Sequence, residues 1–430
     1  MISAIKGMND LFGEKAFRWG KMEEDIKKMM VSANFGEFRT PILEEISLFK
    51  RGVGETTDVV KKEMYDFLDK KGRHIAMRPE GTASVVRAFV EHGIGINYPS
   101  PFKAFYIAPF FRYERPQKGR LRQFHQFGVE IFGDETPQMD AEMIFTASRV
   151  LDHFGIDYEI HLNSIGCKKC RAAYREKLIE YFSARKNELC EDCRTRLEVN
   201  PLRLLDCKAC DPKCRYADVP KMTDYLCDDC RNHFEELQKA LHAFGVKFVL
   251  DPFIVRGLDY YTKTAFEIVA KTGGSQNAVA GGGRYDNLVS DIGGNDTPAT
   301  GFAMGLERLF DLIPEDFYHE EPLAVGYALC DEAVLQLVEF NKKISNKIMT
   351  LNNQIRFLAD YKPKKLKKAL QKAEKANAAF VFIIGEDEAA NGTILVKNMA
   401  TREQKSFDRN DKKYISGIFN FMFPKKQNKQ

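Results

Sequence analysis

The chain has 430 residues, 44% hydrophobic and 29% charged, which is the make-up of a folded globular protein with room for more than one domain and excludes a disordered or fibrous chain. The net charge is +4 but uneven: from Leu323 onward 20 basic residues face 11 acidic ones, so that segment carries +9 and the residues before it −5. A basic terminal segment on a mildly acidic body points to a polyanion partner, nucleic acid first.

The longest apolar stretch with strand character, Ala378 to Ile384, is far short of the roughly 20 residues that span a bilayer, so no membrane association is expected. The opening residues Met1 to Gly7 lack the apolar core of a secretory signal. A reducing, cytoplasmic setting is therefore expected, in which the ten cysteines are not disulfides.

In chain order, Trp19, Met22, Ile26, Met29 and Ala33 recur at helical spacing between Glu14 and Asn34, with Gly36 as the helix stop. An extended segment, Phe38 to Leu43, follows, and Pro41 within it reads as an edge or interface strand. Strands at Phe102–Tyr113 and Gln123–Phe132 precede a helix at Pro137–Phe154, without regular βαβ alternation. This reads as a mainly antiparallel sheet with helices. From Cys167 to Cys230 nine of the ten cysteines fall among charged, helix-prone stretches, as in an inserted unit. Sheet-like sequence resumes near Lys247 and ends in the strand-to-helix segment Thr300–Leu312. Beyond Pro314 and Pro322, strand (Ala324–Cys330), helix (Glu332–Met349), strand (Gln354–Ala359), helix (Lys364–Lys375) and strand (Ala379–Ile384) alternate as in a small α/β domain.

One hairpin, two glycine-containing runs and a strand-to-helix segment carry candidate chemistry. Phe110 to Glu130 reads as strand, basic loop, strand. Period-2 alternation puts Phe127, Val129 and Ile131 on one face and Gln126, Gly128 and Glu130 on the other, two polar groups flanking a side-chain-free gap. Arg112 and Glu114 share one parity on the first strand, and the loop between suits phosphate oxygens. Arg256-Gly257-Leu258-Asp259-Tyr260-Tyr261 and Gly281-Gly282-Gly283-Arg284-Tyr285-Asp286 each combine glycine, a guanidinium and tyrosine, a composition suited to an anion beside a flat ligand. The segment Gly301 to Arg308 reads as a buried strand entering a helix, with Arg308 exposed. Tyr260 is balanced between packing and ligand contact, and His125 has the parity of a packed residue.

Phe38–Leu43, Arg112–Glu130 and Gly301–Arg308 resemble, in order, the three motifs of class II aminoacyl-tRNA synthetases. Arg256–Tyr261, Gly281–Asp286 and Arg78-Pro79-Glu80-Gly81-Thr82 resemble the signature and amino-acid-binding segments of the histidyl-tRNA synthetase family. The resemblance implies an α+β fold: catalytic core at residues 1–165 and 246–320, a Cys-rich insertion at 166–245, and an α/β anticodon-binding domain at 323–430. It implies that histidine and ATP, with Mg²⁺, form histidyl-adenylate, and that histidine then passes to the 3′ end of tRNA(His). It assigns Arg112 and Arg256 to the α-phosphate, Glu114 to adenine and Arg308 to the triphosphate. It assigns Glu80, Gly81, Thr82 and Gln126 to the amino and carboxylate ends of histidine, and Arg115 and Gln117 to the tRNA acceptor end. Glu130, Tyr261 and Tyr285 are the candidates for the imidazole, whose ring N–H a carboxylate can accept, with Tyr260 and Arg256 as further residues of the histidine site. Motif 1 implies a homodimer. A non-catalytic regulatory subunit or a histidine or tRNA sensor of the same fold is the alternative.

Four Cys-x-x-Cys pairs, Cys167/Cys170, Cys190/Cys193, Cys207/Cys210 and Cys227/Cys230, match the thiolate supply of two structural Cys₄ zinc sites. Metal-free thiols or an iron–sulfur cluster are the alternatives. The spacing leaves the pairing open, with Cys214 a rival to Cys210. Leu366, Ala369, Leu370 and Ala373 form an apolar stripe with Lys364, Lys365, Lys367, Lys368 and Lys372 off it, either a solvated face or a tRNA-facing one.

Overall fold

The computed structural model describes residues 2–54, 57, 59–117, 119–207, 209–255, 258–272, 277–350 and 355–424. They form two compact units, Met1–Tyr318 and His319–Gln430.

The strands of the first unit are β1 (Gly36–Glu37), β2 (Leu43–Glu45), β3 (Tyr65–Leu68), β4 (His74–Met77), β5 (Phe102–Phe111), β6 (Gln123–Phe132), β7 (Tyr158–Gly166), β8 (Val249–Leu250), β9 (Thr262–Ala270), β10 (Ala278–Arg284) and β11 (Ala299–Gly305). One sheet of eight runs in the order β1-β5-β6-β11-β10-β9-β7-β8 and is antiparallel except at its edge pairs β1/β5 and β7/β8. The strands β2-β4-β3 form a small separate sheet. Alternation along β6 buries Phe127, Val129 and Ile131 against Trp19, Met22 and Ile26 of the helix Gly13–Ser32 and Ile144, Ala147 and Leu151 of the helix Pro137–His153. At about 1.5–3 kcal/mol per large apolar side chain, this face holds the sheet in place. It leaves the opposite face of β6 for polar groups.

Three local expectations need correction. The first helix stops at Ser32, and Asn34, at φ 63°, makes the left-handed turn expected of a glycine; Gly36 instead opens β1. The segment Phe38–Leu43 is strand only from Leu43, because the Arg78 guanidinium takes the Thr40 carbonyl at 2.7 Å and the Pro41 carbonyl at 3.3 Å in place of a neighbouring strand. β5 ends at Phe111 rather than Tyr113, since the Tyr113 N–H turns away to the Glu63 carbonyl at 2.7 Å. Arg112 and Glu114 are therefore loop residues.

The insertion is helical, as its composition indicates: Lys168–Ser183, Glu191–Val199 and Asp228–Ala243 are its main helices, with the one-turn pieces Pro201–Leu204, Pro212–Arg215 and Met222–Tyr225 between the last two. Its Tyr174, Leu178 and Phe182 are buried in the same apolar cluster as the sheet's inner face.

The second unit contains β12 (Leu323–Ala328), β13 (Arg356–Asp360), β14 (Phe380–Ile384), β15 (Thr393–Asn398) and β16 (Gln404–Asp408), ordered β13-β12-β14-β15-β16. β12 is parallel to β13 and β14, as strand–helix alternation requires, and β15 and β16 add an antiparallel hairpin that the pattern did not reveal. Helices Glu332–Thr350 and Tyr414–Met422 cover one face and Leu366–Lys375 the other. Within the lysine-rich stretch, Lys364 and Lys372 both pair with Asp360, at 2.7 and 2.5 Å. Gln354 lies outside the described residues.

Candidate active site

A cavity of about 420 Å³ in the first unit brings together Glu80, Thr82, Arg112, Glu114, Gln126, Tyr260, Tyr261 and Arg308. Glu130 and Tyr285 lie one hydrogen bond deeper, each about 1% exposed. Thr82 Oγ1 donates to Glu130 Oε1 at 2.8 Å, and the Tyr285 hydroxyl donates to Glu130 Oε2. Burial pushes the Glu130 carboxyl up to about 8, with the Tyr285 and Thr82 hydrogen bonds partly opposing it. Gln126 is opposite Ala108 and Gly305 in the sheet, and its buried Oε1 has no partner among the described residues. It is an acceptor aimed at whatever fills the cavity.

Glu80 caps the helix Thr82–Glu91, its two oxygens accepting from the Thr82 and Ala83 N–H groups at 2.9 and 2.7 Å. Burial raises its carboxyl too, against those backbone bonds. The Tyr260 hydroxyl reaches Glu80 at 3.5 Å, and the rings of Tyr260, Tyr261 and Tyr285 cluster with centroids 4.6 to 6.4 Å apart. Tyr260 thus both packs and lines the cavity. Gly81 starts the same helix under the ring of Tyr106, which a methyl at Gly81 or at Gly128 would overlap. The gap expected at Gly128 is therefore filled, by Tyr106, its register partner on β5.

Arg112 is held by its Nε bond to the Pro79 carbonyl at 2.9 Å and by the Phe124 ring, 5.2 Å from its guanidinium. Glu114 lies 3.9 Å from Arg112 and 3.4 Å from Arg120. Arg308 is half-buried, not exposed: its guanidinium donates to the carbonyls of Gly119 and Ala278, which ties the helix Leu306–Leu312 to the loop between β5 and β6 and to β10. Burial, and then Arg120 nearby, lowers its pKa. Arg115 and Gln117 are exposed on that loop. Arg256 and Gly257 lie outside the described residues.

Arg284 departs from the anion-binding reading of its glycine-rich run. It is fully buried, and its donors are used by Asp140 at 2.7 Å, Asp286 at 3.0 Å and the carbonyls of Asp134 and Thr136. Although burial alone would raise it, the Arg284 guanidinium and then His233 hold the Asp140 carboxyl well below the carboxylate range. The pair is a structural clasp. His125 packs edge-on against Trp19 and accepts or donates through Nδ1 to Glu307 at 2.9 Å.

The thiols fall into two groups of four, Cys167/Cys170/Cys227/Cys230 and Cys190/Cys193/Cys207/Cys210, with all sulfurs of a group within 4.8 Å of one another. First pairs with last and second with third, and Cys214 is exposed and in neither group. Cys167, Cys190 and Cys227 are the N-cap residues of their helices. Sequence reasoning missed Tyr106, and also Arg196, Arg203 and Asp206 of the insertion, which line the cavity. The place of Tyr106 is set only by the pairing of β5 with β6, and no local signal marks the other three.

An antiparallel sheet whose cavity sets buried carboxylates and tyrosines beside arginines offers acceptors for a ligand's N–H groups next to cations for an anion, the needs of a site that joins a small polar substrate to a phosphate. Residues 7–175 and 213–309 match the family model described as histidyl-tRNA synthetase, and 333–413 match an anticodon binding domain. The chain is 46% identical over 420 residues to the histidine–tRNA ligase of Thermodesulfovibrio yellowstonii, covering 95% of this chain and 96% of that one. It is 44% identical over 409 residues to that of Halothermothrix orenii, covering 94% and 96%. The apo histidyl-tRNA synthetase of S. aureus superposes with a TM-score of 0.78 at 32% identity, covering 98% and 99%. The chain belongs to the histidyl-tRNA synthetase family, and it is an aminoacyl-tRNA ligase that joins histidine to tRNA at the expense of ATP, used with Mg²⁺. The non-catalytic alternative is not favoured; a Bacillus halodurans structure titled as an ATP phosphoribosyltransferase regulatory subunit/histidyl-tRNA synthetase is 20% identical and shares the fold. No described helix is long and apolar enough to cross a membrane.

Proposed function

We propose that Glu130, with Tyr261 and Tyr285, selects the imidazole of histidine, while Glu80 and Gln126 receive its α-amino group beside Gly81, Thr82 and Tyr260. The observation that carries this reading is the buried chain Thr82–Glu130–Tyr285, which places a carboxyl on a dry floor one hydrogen bond below the cavity-lining Thr82. A site with such groups rejects an isostere lacking a ring N–H by roughly 10⁴. Arg112 and Arg256 would neutralise the α-phosphate as the histidine carboxylate oxygen bonds to phosphorus and pyrophosphate leaves. Glu114 would read adenine, Arg308 would face the triphosphate, and Arg115 and Gln117 the acceptor end of tRNA(His), whose 3′-hydroxyl then attacks the carbonyl and expels AMP. The exposure of Arg115 and Gln117 and the position of Arg308 at the cavity support this division. Arg256→Ala should lower the single-turnover rate of adenylate formation by about 10² at saturating histidine and ATP. An unchanged rate would remove Arg256 from the chemistry.

The remaining parts of the reading concern assembly. Residues 1–165 and 246–320 would form the catalytic core, 166–245 the insertion and 323–430 the tRNA-holding domain, in a cytoplasmic homodimer. Exposure of Ile42 and Leu43 beside motif 1 favours a partner surface there. Zinc is the metal that suits the insertion's thiols. A zinc ion about 2.3 Å from four sulfurs sets tetrahedral edges of about 3.8 Å. The Sγ separations are 3.6 Å for Cys167–Cys170, 3.9 Å for Cys167–Cys227 and 3.8 Å for Cys190–Cys207. Backbone N–H groups of Cys190, Cys210 and Cys227 donate to sulfurs of their own groups, as around metal-bound thiolates.

A further inference from the structure

Cys190, Cys193, Cys207 and Cys210 bracket one stretch of chain, the helix Glu191–Val199 followed by the turn Pro201–Leu204. Arg196 on the helix, Arg203 on the turn and Asp206 just before Cys207 line the active-site cavity along with Arg112 and Arg308. Asn200 Nδ2 donates to Asp259 Oδ1 at 3.2 Å, joining the stretch to the loop that leads into Tyr260 and Tyr261. Residues 176–212 lie between the two stretches matched by the family model.

The stretch has little apolar material of its own to fix its shape: Leu197, Leu204 and Leu205 are its buried leucines. A segment this small holds a defined form when a metal staples it. Here the four sulfurs sit at its two ends, two at the start of the helix and two after Asp206, so one ion bound to them would close the loop on which both arginines stand. The full thiolate shell leaves no open coordination position, which excludes a reacting role for the metal and leaves a positioning one.

We propose that a divalent metal bound by Cys190, Cys193, Cys207 and Cys210 holds Arg196 and Arg203 as part of the cavity wall, where they receive a nucleotide phosphate of ATP or of the tRNA terminus. The proposal rests on the reading of the insertion's cysteines as zinc ligands. The guanidinium groups supply charge-assisted bonds to phosphate, and the stapled loop fixes their reach into the cavity.

The test uses the full-length protein as wild type, Cys214→Ser, Cys210→Ser and Arg196→Ala/Arg203→Ala. Zinc per chain is measured by elemental analysis, and the KM values for histidine and ATP by pyrophosphate exchange and for tRNA by charging. Wild type and Cys214→Ser should hold two equivalents, Cys210→Ser one, and the double arginine variant two. Both Cys210→Ser and the double variant should raise the KM for ATP or for tRNA about tenfold or more, with the histidine KM little changed. The KM that moves identifies which phosphate is bound. Absence of metal from wild type would overturn the zinc reading and this proposal with it. Two equivalents in wild type, with the ATP and tRNA KM values unchanged in the double variant, would overturn the wall's role while leaving zinc in place. Should Cys210→Ser fail to fold, the double variant, which keeps every ligand, decides alone.

Discussion

Replacing Glu130 by Gln should make the protein more stable and a worse enzyme. The Glu130 carboxyl is pushed from 4.5 to about 8 by burial. A carboxyl raised on folding contributes full stability below its unfolded pKa and loses it as pH climbs toward the folded value, at about 1.4 kcal/mol per pH unit. Between pH 5.5 and 7.5 wild type therefore loses about 3 kcal/mol that a neutral isostere does not lose. An unfolding entropy of about 2.1 cal/mol/K per residue over the unit Met1–Tyr318 converts this to about 4 °C. Thermal melting of both proteins without ligands, across that pH range, isolates the effect because the other groups titrate in both. The Tm advantage of Glu130→Gln should widen with pH, and parallel curves would refute the argument that a charge on Glu130 is costly in the empty site. In the same variant the histidine KM should rise about 10-fold or more through loss of a charge-assisted hydrogen bond, with kcat less affected.

Two other outcomes follow from the same geometry. Gly128→Ala puts a methyl into the Tyr106 ring across β5 and β6, so histidine-dependent exchange should collapse even though only one carbon is added, and pairing it with Tyr106→Phe should not restore activity because the ring itself is in the way. Removal of His319–Gln430 should leave histidine-dependent exchange intact in Met1–Tyr318 and lower tRNA charging, steeply so with added salt; equal charging by both forms would show that the second unit is dispensable for holding tRNA.

The parts of the site legible in the sequence are those that a single strand's alternation decides. Phe127, Val129 and Ile131 bury together on β6, and so Gln126 and Glu130 face the other way. What stayed hidden depends on partners far along the chain. The register that seats Tyr106 against Gly128 exists only once β5 and β6 pair, and Arg284 becomes a structural residue only because Asp140, 144 residues earlier, is buried beside it. Arg308 looked exposed on a helical count, but the Gly119 carbonyl comes down onto it from a separate loop. The nesting of the four cysteine pairs likewise needs the insertion's helices to be placed, since equal Cys-x-x-Cys spacing makes every pairing look alike. Glycine-rich runs and turn residues carry little information about which side chain will occupy the space they leave.

If the buried Glu130 carboxyl selects the ring, this cavity activates histidine and no other amino acid. Pyrophosphate exchange into ATP, run with each of the twenty amino acids in turn on the purified full-length chain, tests that directly. Exchange with histidine, exceeding that with glutamine or any other amino acid by about 10⁴, is the predicted result. Histidine binding without exchange, or comparable exchange with a second amino acid, would contradict it.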